Sequence, residues 1–164
     1  MPFKKPHHTS DPNYIVQVDD RGYIIQPRGL NIVWGNDSRY WRIPDQGAAE
    51  LIQVSWLEVS GKVAISKEGN YSIKFSVNVK ADGFGWDGTE VLVMAKVGKT
   101  GRYTYQVAKL TPGRRLTIPI QQLKIPVSAS DAAPKDLYFG LYEVWSGKWK
   151  GGLEIESAEV LRES

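Results

Sequence analysis

The 164-residue chain contains no cysteine, and its only two histidines, His7 and His8, stand side by side near the start. Without cysteine, the chain has no disulfide framework, no thiolate nucleophile and no zinc site built on sulfur. Both histidines lie in a polar, proline-containing segment, so we do not expect histidine acid–base chemistry in the folded part. The sequence predicts no metal site and no cofactor.

Long apolar runs are also lacking. No run approaches the roughly 20 residues that cross a bilayer, and the start of the chain lacks the apolar centre of a signal peptide. We therefore expect a cytoplasmic protein with no membrane partner. The net charge of +3 and the pI near 9.0 are modest for a nucleic-acid binder. Weak, salt-sensitive RNA binding is the alternative, through Lys4, Lys5, Arg114, Arg115, Lys148 and Lys150.

Alternation of apolar and polar residues dominates the rest of the chain. Residues 71–79 alternate without a slip, which predicts a strand with one buried face. Shorter runs of this kind, separated by turn residues, occupy residues 14–18, 30–34, 54–65, 90–97, 102–110, 116–120, 137–145 and 153–161. The pattern predicts an all-β fold, an antiparallel, jelly-roll-like β-sandwich with one or a few short helices. Residues 45–51 are the predicted helix.

The domain organisation follows from the same pattern. Residues 1–13 are polar and without periodicity, so they are predicted to form a flexible N-terminal tail. Residues 14–164 are predicted to form one sandwich domain, since this length can bury a sizeable core.

Aromatic residues with a polar atom are plentiful, with six Trp and eight Tyr beside only four Phe. They concentrate in residues 34–41, 83–88 and 142–150, which are rich in Gly, Asn or Asp. An aromatic ring in such a loop either anchors the loop or contacts a ligand. We predict that Trp56 lies in the core, leave Trp34 open, and predict that the remaining tryptophans are exposed: Trp41, Trp86, Trp145 and Trp149.

Exposed indole and phenol rings suit sugar binding, because the C–H face of a pyranose stacks on an aromatic face. The hydroxyl groups then need polar partners. The predicted carbohydrate-binding residues are Trp34, Asn36, Arg39, Tyr40, Trp41, Trp86, Glu143, Trp145, Trp149 and Lys150. Such shallow sites bind weakly, and useful avidity predicts a homodimer.

Glu143 continues the inward face of the strand that carries Leu137, Phe139 and Leu141. A carboxylate there needs a cation such as Arg39, a ligand, or both. The alternative of a glycoside hydrolase requires a second carboxylate at a set distance from Glu143. Asp37, Glu58 and Asp87 are candidates, and the spacing selects none of them. We therefore predict a protein without catalytic activity.

Three blocks of sequence carry a family resemblance: residues 29–41, residues 49–62 and residues 142–155, in that order. From about residue 28 to the C-terminus, the chain resembles the Nictaba family, also called phloem protein two, and looks most like the small phloem lectins of cucurbits. One departure is Ile43, where the family often has a second tryptophan.

The resemblance implies a dimeric lectin of phloem sap or the sieve-element cytoplasm, acting in defence or phloem transport. It would bind N-acetylglucosamine oligomers, including chitooligosaccharides and the cores of N-glycans. The resemblance also implies sugar-binding roles for Trp34 and Trp41, and a contribution from Glu143.

Overall fold

The computed structural model describes residues 7–19, 21–65, 67–127 and 135–163. Two antiparallel sheets face each other across one core. The strands are β1 (Ile15–Val18), β2 (Gly22–Ile25), β3 (Asn31–Ile32), β4 (Trp41–Arg42), β5 (Ala49–Leu51), β6 (Leu57–Ile65), β7 (Gly69–Phe84), β8 (Glu90–Val97), β9 (Thr104–Lys109), β10 (Arg115–Val127), β11 (Lys135–Glu143) and β12 (Gly151–Glu163). The predicted all-β antiparallel sandwich is confirmed.

The larger sheet has the order β1-β2-β12-β5-β4, and β7 pairs with both β12 and β10. The smaller sheet has the order β3-β6-β11-β8-β9. The core fills the space between them, and Phe75 of β7 meets Phe139 of β11 with ring centroids 6.1 Å apart. Gly61 lies opposite Phe139 in β6, where a Cβ atom would come within 2.6 Å of its ring. A glycine at this position therefore makes room for the phenyl ring.

The predicted helix at residues 45–51 is wrong. Residues 49–51 form β5, whose Ala49 and Leu51 are fully buried and pair with β12, while Glu50 points outward to Lys80 at 2.9 Å. The Ala-Ala-Glu-Leu sequence favours a helix locally, but burial of alternate residues against β12 overrides that preference. The short helices that do form are 3-10 turns at Pro12–Tyr14 and Pro27–Gly29.

Residues 7–13 of the predicted tail lie against the domain. His8 exchanges backbone hydrogen bonds with Ile32 at 3.0 and 2.9 Å, and the Ser10 N–H donates to Asn31 Oδ1 at 2.8 Å. The remainder of the predicted tail, residues 1–6, lies outside the described residues. Among those that are described, no helix is long and apolar enough to cross a membrane.

Burial divides the tryptophans differently from the prediction. Trp41 and Trp86 are 2% and 1% exposed, so the prediction of surface positions for them is wrong. Trp41 belongs to β4 and pairs with the buried Leu51, which turns its ring into the core. Trp56 is only half-buried, because β6 starts one residue later; its indole N–H donates to Glu58 at 2.9 Å. Trp145 and Trp149 are exposed, as predicted.

Two tryptophan-to-alanine variants test this division. Trp41→Ala empties a core position, so we expect the free energy of unfolding to fall by about 3–5 kcal/mol. Trp145→Ala, at a position 57% exposed, should change it by less than about 0.5 kcal/mol. Urea denaturation followed by circular dichroism measures both, and similar losses in the two variants would contradict the burial assigned here.

Candidate functional site

Three aromatic rings from two separate segments meet at one end of the sandwich. The rings of Trp34 and Tyr40 meet edge to face with centroids 5.7 Å apart, and those of Tyr40 and Trp149 lie 6.5 Å apart. Together with Val54 and Ser55 they line a cavity of about 110 Å³. We call Trp34, Tyr40 and Trp149 the aromatic cluster. It combines the first and third of the aromatic segments found in the sequence.

The N-terminal side of the domain contributes a further ring. His7 stacks on Trp34 with centroids 4.5 Å apart, and its Nδ1 accepts the backbone N–H of Trp34 at 2.8 Å. Trp34 has a φ of 65°, a left-handed conformation that is uncommon for a bulky residue. Its indole is nevertheless 36% exposed. The turn after β3 therefore presents Trp34 outward instead of continuing the strand into the core.

Arg39 is held within its own loop. Its guanidinium donates two hydrogen bonds to Asp37, at 3.1 and 2.7 Å, and these bonds hold the pKa of Asp37 at about 2. The guanidinium also lies 5.2 Å from the ring centroid of Tyr40. The suggested pairing of Arg39 with Glu143 is therefore wrong, because Arg39 pairs with Asp37 and Glu143 pairs with another cation. Asn36 is exposed in this loop, as are the faces of Arg39 that do not contact Asp37 or Tyr40.

Glu143 pairs with Lys150. Both side chains are buried, at 3% and 0% exposure, and Lys150 Nζ lies 2.9 Å from Glu143 Oε1. The ammonium group also donates to the carbonyl oxygens of Ser55 and Lys148, each at 2.9 Å, which uses its three protons. Lys150 was predicted to offer donors to a ligand at the surface, and that exposure is wrong.

The carboxylate of Glu143 is equally well satisfied. It accepts the Ser146 hydroxyl at 2.5 Å and the backbone N–H groups of Trp145 and Ser146 at 3.3 and 3.2 Å. Burial raises the pKa of Glu143, but the hydrogen bonds from Ser146 and Lys150 outweigh it and leave the pKa below its usual value. Glu143 is therefore ionised at neutral pH and fixes both ends of residues 143–150, which we call the tryptophan loop.

Residues 85–89, which include Trp86, pack against the tryptophan loop. The Trp86 indole N–H donates to the Gly151 carbonyl at 2.9 Å. Gly85 has a φ of 85°, and a Cβ atom there would come within 2.2 Å of the Trp149 carbonyl oxygen. Lys148 Nζ reaches back to Asp87 O and Thr89 Oγ1 at 2.9 and 2.8 Å. The glycines thus let this segment pack beneath the tryptophan loop, which explains why Trp86 is buried and cannot stack on a ligand.

Trp145 stands apart from the aromatic cluster. It is 57% exposed and lines a separate open groove of about 450 Å³. The predicted set is therefore split: Trp34, Tyr40 and Trp149 meet, Trp145 faces a second cavity, and Trp41, Trp86 and Lys150 are internal. Within the described ranges, no group of three His, Asp or Glu side chains could hold a metal ion.

The sequence analysis did not assign His7, Val54 or Ser55 to the site. Val54 forms an isolated bridge with Lys150, and this pairing brings residues 54 and 55 beside the tryptophan loop. Val54 falls within the strand predicted at residues 54–65. The sequence therefore indicated that Val54 would pair with another segment, but not that its partner would be Lys150. Ser55 falls within the same predicted strand, whereas His7 has no signal of this kind.

Glu143→Gln tests the role of the ion pair. Removal of the charge leaves Lys150 buried without its counter-ion, so we expect the free energy of unfolding to fall by about 3–5 kcal/mol at pH 7. The folded-state pKa of Glu143 lies below its usual 4.5, so its contribution is present above that pH and is lost as the pH falls through the folded-state pKa. Urea denaturation between pH 3 and 7 should therefore show a steeper acid loss for the wild type than for Glu143→Gln.

The double variant Glu143→Gln/Lys150→Met provides the control. It removes both charges, so it should recover part of the stability lost in the single variant. Equal stability of the wild type and Glu143→Gln at pH 7 would show that the pair does not fix the loop.

Comparison with known proteins extends over nearly the whole chain. The family described as Phloem protein 2 matches residues 20–161. Protein PHLOEM PROTEIN 2-LIKE A9 of Arabidopsis thaliana is 39% identical over 174 residues, covering 96% of each protein. Protein PHLOEM PROTEIN 2-LIKE A1 of the same plant is 23% identical, covering 87% of this chain and 63% of the relative. The chain also spans 60% of the putative F-box protein PP2-B12, at 25% identity.

Solved structures match the chain only weakly. A cycloisomaltooligosaccharide glucanotransferase of a Paenibacillus species, complexed with cycloisomaltoheptaose, has a TM-score of 0.49 at 12% identity, covering 88% of this chain and 19% of that one. A likeness at this level does not indicate function. The sequence match is decisive by comparison, because it covers residues 20–161 and includes a relative of nearly equal length. The chain belongs to the phloem protein 2 family.

Proposed function

We propose that this protein is a lectin that binds N-acetylglucosamine oligomers, such as chitooligosaccharides and N-glycan cores, without chemical change. The aromatic cluster is the binding surface. The observation that carries the proposal is the meeting of Trp34, Tyr40 and Trp149 around one open cavity. Membership of the phloem protein 2 family fits a role in the cytoplasm of phloem cells, in defence or transport.

Physical chemistry favours a sugar over a purely apolar ligand at this surface. The C–H face of a pyranose can lie on an indole or phenol ring, while its hydroxyl and acetamido groups turn toward polar neighbours. Ser55 lines the cavity, and the exposed Asn36 and Arg39 belong to the loop that carries Trp34 and Tyr40. The cavity is small and open, so the affinity for one oligomer should lie in the micromolar to millimolar range, about −8 to −4 kcal/mol.

The geometry of Glu143 favours binding over hydrolysis. A glycosidase acid must carry a proton at working pH, which requires a raised pKa. Glu143 has the reverse arrangement, with a lowered pKa and a buried bond to Lys150. In this proposal Glu143 does not react with the sugar; it holds the backbone of the loop that carries Trp149.

Trp149→Ala tests the aromatic cluster. Loss of the indole removes an apolar stacking face, so the Kd for chitotriose should rise about 5- to 30-fold, equivalent to about 1–2 kcal/mol. Titration followed by tryptophan fluorescence and by calorimetry measures the change. Tyr105→Ala is the matched control, because Tyr105 is an exposed aromatic on β9 outside the cluster and its loss should leave the Kd unchanged.

The salt dependence of binding separates this proposal from RNA binding. Sugar binding should change little between 50 and 500 mM salt, whereas RNA binding through phosphate contacts weakens steeply. Lys150 is buried and cannot contact phosphate, which reduces the basic set predicted from the sequence. Absence of chitotriose binding together with salt-sensitive RNA binding would replace the lectin proposal with the RNA one.

Weak sites gain from duplication, so we propose that the protein acts as a homodimer. Light scattering coupled to size-exclusion chromatography should give twice the 18.4 kDa mass of one chain. A monomer at micromolar concentration, together with undiminished binding to immobilised chitin, would show that avidity does not require a dimer.

A further inference from the structure

The groove beside Trp145 is a second cavity at the same end of the sandwich. Its lining includes Trp145, Leu92, Thr89, Glu90, Lys109 and Lys148, and none of the three rings of the aromatic cluster. In the smaller sheet β11 lies between β6 and β8. The tryptophan loop continues β11, so the aromatic cluster flanks it on the β6 side and the groove flanks it on the side of β8 and β9.

The Trp145 indole is exposed although the backbone beneath it is fixed. The N–H of Trp145 and that of the next residue donate to the buried carboxylate of Glu143, and Lys148 is tied to Asp87 and Thr89. A ring on such a loop loses little conformational freedom when a ligand covers it, which favours binding. An exposed indole on a fixed backbone over an open groove is therefore a prepared contact surface.

The lining of the groove indicates the class of ligand. Trp145 and Leu92 supply apolar surface, while Glu90 and Lys109, opposite each other on β8 and β9, supply an acceptor and a donor of opposite charge. A purely apolar ligand would leave the polar atoms of the groove without hydrogen-bond partners, and an anion would be repelled by Glu90. An uncharged ring with one apolar face and a hydroxyl rim satisfies all of them.

We infer that the Trp145 groove is a second sugar subsite, and that a long glycan crosses the tryptophan loop to contact Trp149 on one side and Trp145 on the other. This inference rests on the proposed function and adds the binding of extended chains to it. Residues 145 and 149 are four apart, so their Cα atoms are at most about 14 Å from each other. A short oligosaccharide can cover that distance, and in this inference a disaccharide occupies the aromatic cluster alone.

The test compares the disaccharide and the hexasaccharide of β-1,4-linked N-acetylglucosamine by isothermal titration calorimetry. The wild type should bind the hexasaccharide at least about tenfold more tightly, which exceeds the several-fold gain from additional binding registers alone. Trp145→Ala should leave the Kd of the disaccharide unchanged within twofold and reduce the hexasaccharide advantage to that several-fold gain. Trp149→Ala should weaken both ligands.

Tyr105→Ala is again the matched control, because Tyr105 is 55% exposed against 57% for Trp145 and does not line the groove. It should retain the full hexasaccharide advantage. The inference alone is overturned if Trp145→Ala keeps that advantage, or weakens both ligands alike, while the wild type binds both. If the wild type binds neither ligand, the proposed function fails and the inference fails with it.

Discussion

The buried ion pair between Glu143 and Lys150 is the interaction on which the functional end of the sandwich depends. Its two residues stand at the beginning and the end of one loop. Their remaining hydrogen bonds are made with the backbone of that loop, the Ser146 hydroxyl and the Ser55 carbonyl. Charges in this position are costly to bury unless they are fully paired. Here the pairing fixes a short loop whose two outward tryptophans would otherwise have to be ordered by the ligand itself.

The architecture could be predicted from the sequence because strand periodicity is a local signal. Residues 71–79 alternate without interruption, and the strand found there extends from Gly69 to Phe84. The short strands β4 and β5 could not be predicted, because a periodic pattern needs a longer run of residues. β4 is only two residues long and β5 only three, too few to display a period. The strand form of β5 comes from pairing with β12, which is distant in sequence, and β4 in turn pairs with β5.

The composition of the candidate site was predicted better than its arrangement. Glycine-rich surroundings were taken to leave Trp86 exposed, yet Gly85 allows the chain to turn closely against Trp149 and carry Trp86 inward. Glu143 was correctly expected to lie on the inward face and to need a cation, but distance along the chain does not show which cation is near. Arg39 had an adjacent partner in Asp37, and Lys150 returns through the loop to meet Glu143.

The stacking of His7 on Trp34 also bears on how the protein can be immobilised on a solid support with its aromatic cluster accessible. His7, the first residue that the structure describes, lies at the rim of the aromatic cluster. The other terminus is remote, because β12 starts next to Lys150 and runs 13 residues, roughly 40 Å, toward the opposite end. Coupling to a bead or a sensor chip at the far end of β12 would leave the rings facing solution, whereas coupling at His7 would turn them toward the support.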